Sequence, residues 1–192
     1  MRRLLLASSS PYRRDLLSRL RLSFESKAPD IDETPCLGEQ PEQLVRRLAA
    51  GKAQALASSY QDHLIIGSDQ VAVLDGQIIG KPRSHERAVH QLQACSGNSV
   101  RFLTGLALLD SRTGVIQIDC IPYTVHFRKL TAPQIERYLL AEQPYDCAGS
   151  FKAEGLGVSL FSATEGSDVT SLVGLPLIRL VEMLNNSGLD IP

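Results

Sequence analysis

Leu4-Leu5-Leu6-Ala7-Ser8-Ser9-Ser10-Pro11-Tyr12-Arg13-Arg14 runs from an apolar triplet into three hydroxyls, a proline and two arginines. Apolar residues then recur as Leu16, Leu17 and Leu20, at helical spacing. The segment predicts a strand, a tight turn and a helix, with Ser10 as N-cap and Pro11 in the first helical turn. A helix start offers N–H groups without intrahelical partners and the positive end of the helix dipole. With hydroxyls and Arg13 beside it, such a turn can seat a phosphate or another anion. A capped surface helix with solvated arginines is the competing reading of the same residues.

Strand-like and helix-like segments alternate along the rest of the chain. Residues 28–35 form a polar, acidic loop, and a helix pattern covers about residues 41–60. A short buried strand at 63–66 leads through Gly67-Ser68-Asp69-Gln70 into a second apolar strand at 71–74. Asp75-Gly76 signals a hairpin whose return strand is 77–79. Ser84 caps a helix that ends near Gly97. Strand patterns follow at 100–109 and 115–127, and Thr131-Ala132-Pro133-Gln134 reads as a capping box opening a helix to Glu142. Residues 146–157 look irregular, and Pro176 opens a last helix with the face Leu177, Leu180, Val181 and Leu184. Interspersed helices and mixed strand directions predict an α/β protein with a mixed sheet, a single domain over residues 1–192.

Hydrophobic residues make up 43% of the 192 residues and charged ones 21%, as in ordinary soluble globular proteins. The net charge of −1 argues against broad electrostatic binding to nucleic acid, while leaving room for a local basic pocket. Cys36, Cys95, Cys120 and Cys147 form no C-x-x-C pair and have no zinc-ligand spacing, so reduced thiols in a cytosolic protein are expected. The leading arginines and leucines are too short for a signal peptide, and no stretch reaches transmembrane length. A cytoplasmic protein without membrane attachment is the expectation.

Some residues resist this bland picture. Lys52 follows Leu48 and precedes Leu56 by one helical step of four, on a stripe that includes Leu44, Val45, Ala49 and Ala55. It either snorkels from the stripe edge or aims a cation into a pocket. Asp69 lies between two apolar strands, where a carboxylate needs a partner. It is either a local backbone cap or a metal ligand or general base at a strand end. Gly80-Lys81-Pro82 follows the hairpin, with Lys81 held extended by the proline. Glu33 in the acidic loop could join Asp69 on a divalent cation, or be merely solvated.

Taken in order, Ala7-Ser8, Ser10-Pro11, Arg13, Asp32-Glu33-Thr34, Lys52-Ala53, Gly67-Ser68-Asp69, Gly80-Lys81-Pro82, Thr104-Gly105 and Gly149-Ser150-Phe151 resemble the Maf family of nucleotide pyrophosphatases. The resemblance implies a fold like that of inosine triphosphate pyrophosphatases: an elongated mixed sheet with flanking helices and a central cleft. It implies hydrolysis of a nucleoside triphosphate to the monophosphate and pyrophosphate with a divalent cation, Mg or Mn. Asp69 would accept the proton, and Ser8, Arg13, Lys52 and Lys81 would hold phosphates; the metal would fall to Glu33 and Asp69 on the reading of those residues given above. A small nucleotide would be the partner, with no nucleic acid and no membrane, and a homodimer is compatible.

Many family members carry arginine directly after the proline, where this chain has Tyr12. An aromatic residue there resembles the subfamily that acts on 7-methyl-GTP, as do Gln70 and Glu154 at two other specificity positions. Methylation at N7 makes the guanine cationic, and a tyrosine face attracts a cation where an arginine repels it. Glu154 could accept from the guanine N1–H and amino group. Gln70 could add a polar contact or simply face solvent. The subfamily more usually has tryptophan at this position, so discrimination against plain GTP should be weaker here. A dTTP/UTP pyrophosphatase is the alternative within enzymes. A regulatory or nucleic-acid-binding protein linked to septum formation is the alternative of another class, disfavoured by the near-neutral charge.

Overall fold

The computed structural model describes residues 2–192; Met1, the first residue of the domain read from the sequence, lies outside them. In chain order the elements are β1 (Arg3–Leu6), α1 (Pro11–Ser18), β2 (Phe24–Ser26), α2 (Pro41–Gln54), β3 (His63–Leu74), β4 (Gln77–Ile79) and α3 (His85–Cys95). There follow β5 (Ser99–Asp110), β6 (Ile116–Phe127), α4 (Ala132–Glu142), β7 (Phe161–Gly166), α5 (Val169–Val173) and α6 (Leu177–Asn186). Short 3-10 turns occupy Ala148–Ser150 and Leu156–Leu160. The strands form one seven-stranded sheet in the order β2-β1-β3-β5-β6-β7, with β4 paired to β3 off that path. β1 runs parallel to β2 and β3, while β3–β4 and β6–β7 are antiparallel. The expected mixed α/β sheet with flanking helices is the observed architecture.

Packing divides the chain into two compact units. One holds the chain up to Gln70, Thr104–Ile121 and Asp168–Pro192; the other holds Val71–Leu103 and Pro122–Ser167. In the first unit the strand alternation sorts the apolar runs onto two faces. Leu4, Leu6, Leu64 and Ile66 pack with Leu16 and Leu17 of α1 and with Leu177, Leu180, Met183 and Leu184 of α6. Leu5 and Ile65 pack on the opposite face with Ala53 and Leu56. Burial on both faces explains why these strands read as continuous apolar runs rather than alternating ones. On α6, Met183 fills the core position expected of Val181, which is half-buried. In the second unit Phe102, Phe127, Phe151 and Phe161 meet edge to face, with centroids 4.9–5.6 Å apart.

Three sequence expectations need correction. Gly67-Ser68-Asp69-Gln70 does not separate two strands: β3 continues through it for 12 residues. Gly67 is there because α2 touches the strand. A Cβ on Gly67 would stand 2.0 Å from the Ala49 carbonyl oxygen, and one on Gly105 of β5 would stand 2.1 Å from that of Val45. Secondly, α2 stops at Gln54 rather than near residue 60. Tighter turns follow, with the Leu56 amide donating to Ala53 and the Ala57 amide to Gln54. Their phase buries Ala53 and Leu56 and leaves Ala55 exposed. Thirdly, β2, β7 and α5 escaped the sequence reading. β2 is three residues long, β7 is mostly exposed and polar, and α5 is five residues, all too short or too solvated for a hydrophobic period.

Candidate active site

The turn after β1 is built as its sequence suggests. The Ala7 amide extends the ladder to the Ile66 carbonyl at 2.8 Å, and the Ser8 amide donates back to Leu6 at 2.9 Å. The buried Ser8 hydroxyl accepts from the Ser10 amide at 3.1 Å, and Ser10 caps α1 by accepting from the Arg13 amide. Pro11 fills the first helical position, where no N–H is required. Tyr12 and Arg13 follow, both half-buried. Arg13 Nε donates to the Gly174 carbonyl at 2.8 Å. Burial lowers the Arg13 pKa, and the charges of Asp69 and Glu33 oppose that shift, so both carboxylates lie within its field. A guanidinium stays charged nonetheless.

Lys52 and Asp69 answer each other. Lys52 Nζ lies 2.6 Å from Asp69 Oδ1, with both side chains about a tenth exposed. The snorkelling reading of Lys52 therefore fails, since the ammonium itself is inside. Asp69 sits within β3, not at a strand end, and its charge is compensated by the lysine rather than by local backbone capping. Glu33 Oε1 reaches the same ammonium at 2.8 Å from a largely exposed position. Its loop is shaped by Asp32 Oδ1, which accepts from the Thr34 amide at 2.8 Å. Arg47 of α2 pins the far end, donating to the Thr34 carbonyl at 3.1 Å and pairing with Glu39 at 2.6 Å. That side-chain bond, with help from the Cys36 amide, holds the Glu39 carboxyl down at about 2.

Gln70 is neither solvent-facing nor loose. Its Nε2 donates to Thr104 Oγ1 at 3.0 Å, to the Ser171 carbonyl at 2.8 Å and to the Leu172 carbonyl at 3.1 Å. Lys81 and Glu154 belong to the second unit, and both are exposed. Burial raises the Cys147 thiol pKa; the Glu154 charge adds to the shift, and the charges of Lys152 and Lys81 oppose it. Lys81 and Glu154 thus share the surroundings of one thiol. The first unit gathers Ser8, Tyr12, Arg13, Glu33, Lys52, Asp69 and Gln70. Sequence reasoning gave Ser68 and Thr104 no role and missed Ser171 and Gly174; the Ser171 carbonyl holds Gln70, and the Gly174 carbonyl holds Arg13 and accepts from Ser68. The one available signal was Gly174 before Pro176, a helix stop too short to announce its helix.

Glu33 and Asp69, with oxygens on one ammonium, form a two-carboxylate set. Among the described residues no group of three or more His, Cys, Asp or Glu side chains could hold a metal. Two carboxylates suit Mg²⁺, which takes one or two protein oxygens and completes its shell with waters and substrate phosphates. A fully protein-built cage is thereby not what these residues offer. No helix among the described residues is long and apolar enough to cross a membrane.

With the capped turn, the buried Lys–Asp pair and the anchored arginine in place, the family can be given: the model of the Maf-like proteins matches residues 3–187, and the chain belongs to that family. Curated relatives named 7-methyl-GTP pyrophosphatase come from Pseudomonas savastanoi pv. phaseolicola (69% identical), Pseudomonas aeruginosa (67%) and Pseudomonas putida (65%). Each aligns over 98% of this chain and 98% of its own length. The solved structure of the Staphylococcus aureus Ham1 protein aligns with 66% of this chain and 72% of its own. Its identity is 15% and its TM-score 0.48, a likeness too loose to carry weight.

Proposed function

We propose that this chain hydrolyses 7-methyl-GTP to 7-methyl-GMP and pyrophosphate, as a cytoplasmic enzyme that clears modified nucleotides. The observation that supports it most is the buried Lys52–Asp69 pair with Glu33 on the same ammonium. A lysine held between two carboxylates is a cation waiting for a better anion, and a triphosphate is one. When phosphate oxygens take Lys52, Asp69 is released to accept a proton from the attacking water. Water oxygen bonds to the α-phosphorus, and the bridging oxygen leaves with pyrophosphate. Ser8, Arg13 and Lys52 neutralise and orient the phosphates, which is most of what such a displacement asks of a protein. Mg²⁺ or Mn²⁺, held by Glu33 and Asp69, would supply further charge neutralisation on the phosphates.

For the base, Tyr12 offers a ring face to the cationic 7-methylguanine, with Gln70 as a further specificity position. A cation–π contact contributes about 0.5–2 kcal/mol, or roughly two- to thirtyfold in affinity. Tyr12 alone therefore cannot make the preference strict. The near-neutral chain fits a small nucleotide better than a nucleic acid.

The test is steady-state hydrolysis of 7-methyl-GTP, GTP, dTTP and UTP with pyrophosphate detection. The highest kcat/KM is expected for 7-methyl-GTP. Tyr12→Arg is expected to lower it roughly two- to thirtyfold while changing GTP less. A higher kcat/KM for dTTP or UTP overturns the assignment.

A further inference from the structure

The proposed chemistry leaves one group of contacts unused: several side chains converge on the C-terminal end of α5. Gln70 Nε2 and Thr104 Oγ1 donate to the Ser171 carbonyl, at 2.8 and 2.9 Å, and Gln70 also reaches that of Leu172. Ser68 Oγ lies 2.9 Å from both the Gly105 and the Gly174 carbonyls. Arg13 Nε donates to that same Gly174 carbonyl. In a helix of five residues the last-turn carbonyls have few intrahelical donors, so they serve as acceptors for other elements. The helix is itself clamped. Buried Asp168 accepts from the Thr170 amide at 2.9 Å and from the Ile178 amide of α6 at 2.8 Å.

The chemistry also fixes which way Gln70 faces. Carbonyl oxygens only accept, so the atom that meets Ser171 and Leu172 must be the amide nitrogen. Along β3, Ser68 and Gln70 share one face and Asp69 takes the other. Holding residues 68 and 70 to one acceptor cluster fixes the roll of the strand and so aims Asp69 at Lys52. Arg13 is anchored through Nε, which leaves its terminal nitrogens as a fork for an anion. A lysine could not serve both ends.

We propose that the C-terminal end of α5 is a positioning element, with Ser68, Gln70, Thr104 and Gly174 as positioning residues that set Asp69 and Arg13 for catalysis and phosphate binding. The proposal rests on the reading of Asp69 and Arg13 given above. It implies two separable defects. Thr104→Val keeps the shape but removes the acceptor for Gln70 and the donor to Ser171. It is expected to lower kcat about tenfold with KM within about twofold, and Thr104→Ser is expected to restore kcat. Gly174→Ala places a Cβ 3.4 Å from Arg13 Nε at a backbone φ of +115°. It is expected to weaken inorganic pyrophosphate binding, measured by calorimetry with Mg²⁺, about tenfold. Ser68→Ala, which releases the Gly174 carbonyl from the sheet, should act in the same direction and reads this arm if Gly174→Ala does not fold.

Retention of wild-type kcat by Thr104→Val overturns the Asp69 half. Unchanged pyrophosphate affinity in the folded Gly174 or Ser68 variant overturns the Arg13 half. An equal loss in Thr104→Val and Thr104→Ser, in step with a lower folded fraction by circular dichroism, overturns positioning in favour of mere stability. Because pyrophosphate carries no base, this arm reads the anchor whichever nucleotide the panel selects; a wrong substrate assignment and a wrong anchor give different results.

Discussion

Lys52 and Asp69 are 17 residues apart in the chain and 2.6 Å apart in the fold. Such a pair is expensive to half-dismantle. Removing one partner from a buried ion pair costs about 3–5 kcal/mol, because the other charge is stranded, whereas replacing both with apolar residues is often neutral. Glu33 adds a second carboxylate to the same ammonium, so loss of the lysine strands more negative charge than loss of the aspartate strands positive. Lys52→Met is therefore expected to lower unfolding free energy by about 3–5 kcal/mol, and the double variant Lys52→Met/Asp69→Leu to recover most of it while remaining inactive. Urea unfolding and turnover together check this. A double variant as unstable as the single one would mean that the pair is not the source of the cost.

The loop that delivers Glu33 to this ammonium has an electrostatic anchor. The Glu39 carboxyl is drawn from 4.5 to about 2 by Arg47. A carboxyl held low contributes stability that is complete above its unfolded pKa and is lost as pH falls toward the folded one. The wild type is thus expected to exceed Glu39→Gln in urea midpoint by a constant margin above about pH 5 that shrinks steeply as pH falls through about 2. A margin undiminished at about pH 2 would show that packing, not ionisation, holds the loop. These connections also explain what the sequence could disclose. The β1 turn, the caps at Ser10 and Ser84, the Asp75-Gly76 hairpin and the lysine on the α2 stripe were legible because each follows from neighbours within a few residues. That Lys52 pairs with Asp69 was not legible, since nothing local names a partner on another element. The role of α5 was illegible: five residues set no period, and its carbonyls are backbone atoms that sequence does not distinguish. Gly67 misled for a related reason, because a glycine that admits a helix backbone looks like one that breaks a strand.

For the molecule as a whole, the separation between α2 and the sheet sets whether Lys52 can reach Asp69. That separation is fixed by two missing side chains, at Gly67 and Gly105, where carbonyl oxygens of α2 occupy the space of a Cβ. Alanine at either position must lift the helix or bend the strand, a cost of about 1–3 kcal/mol for overpacking. Activity is expected to fall further than stability, since a displacement that the core tolerates is long on the length scale of an ion pair. Gly67→Ala and Gly105→Ala, compared by melting temperature and by turnover, check this; variants with full turnover would refute it. The consequence reaches beyond the structure to the gene. Every single-nucleotide change in a glycine codon that alters the residue introduces either a Cβ or a stop. Neither position therefore has a neutral neighbour in mutational space, and a library selected for activity should return glycine alone at both, whatever drift it permits on the surrounding helix.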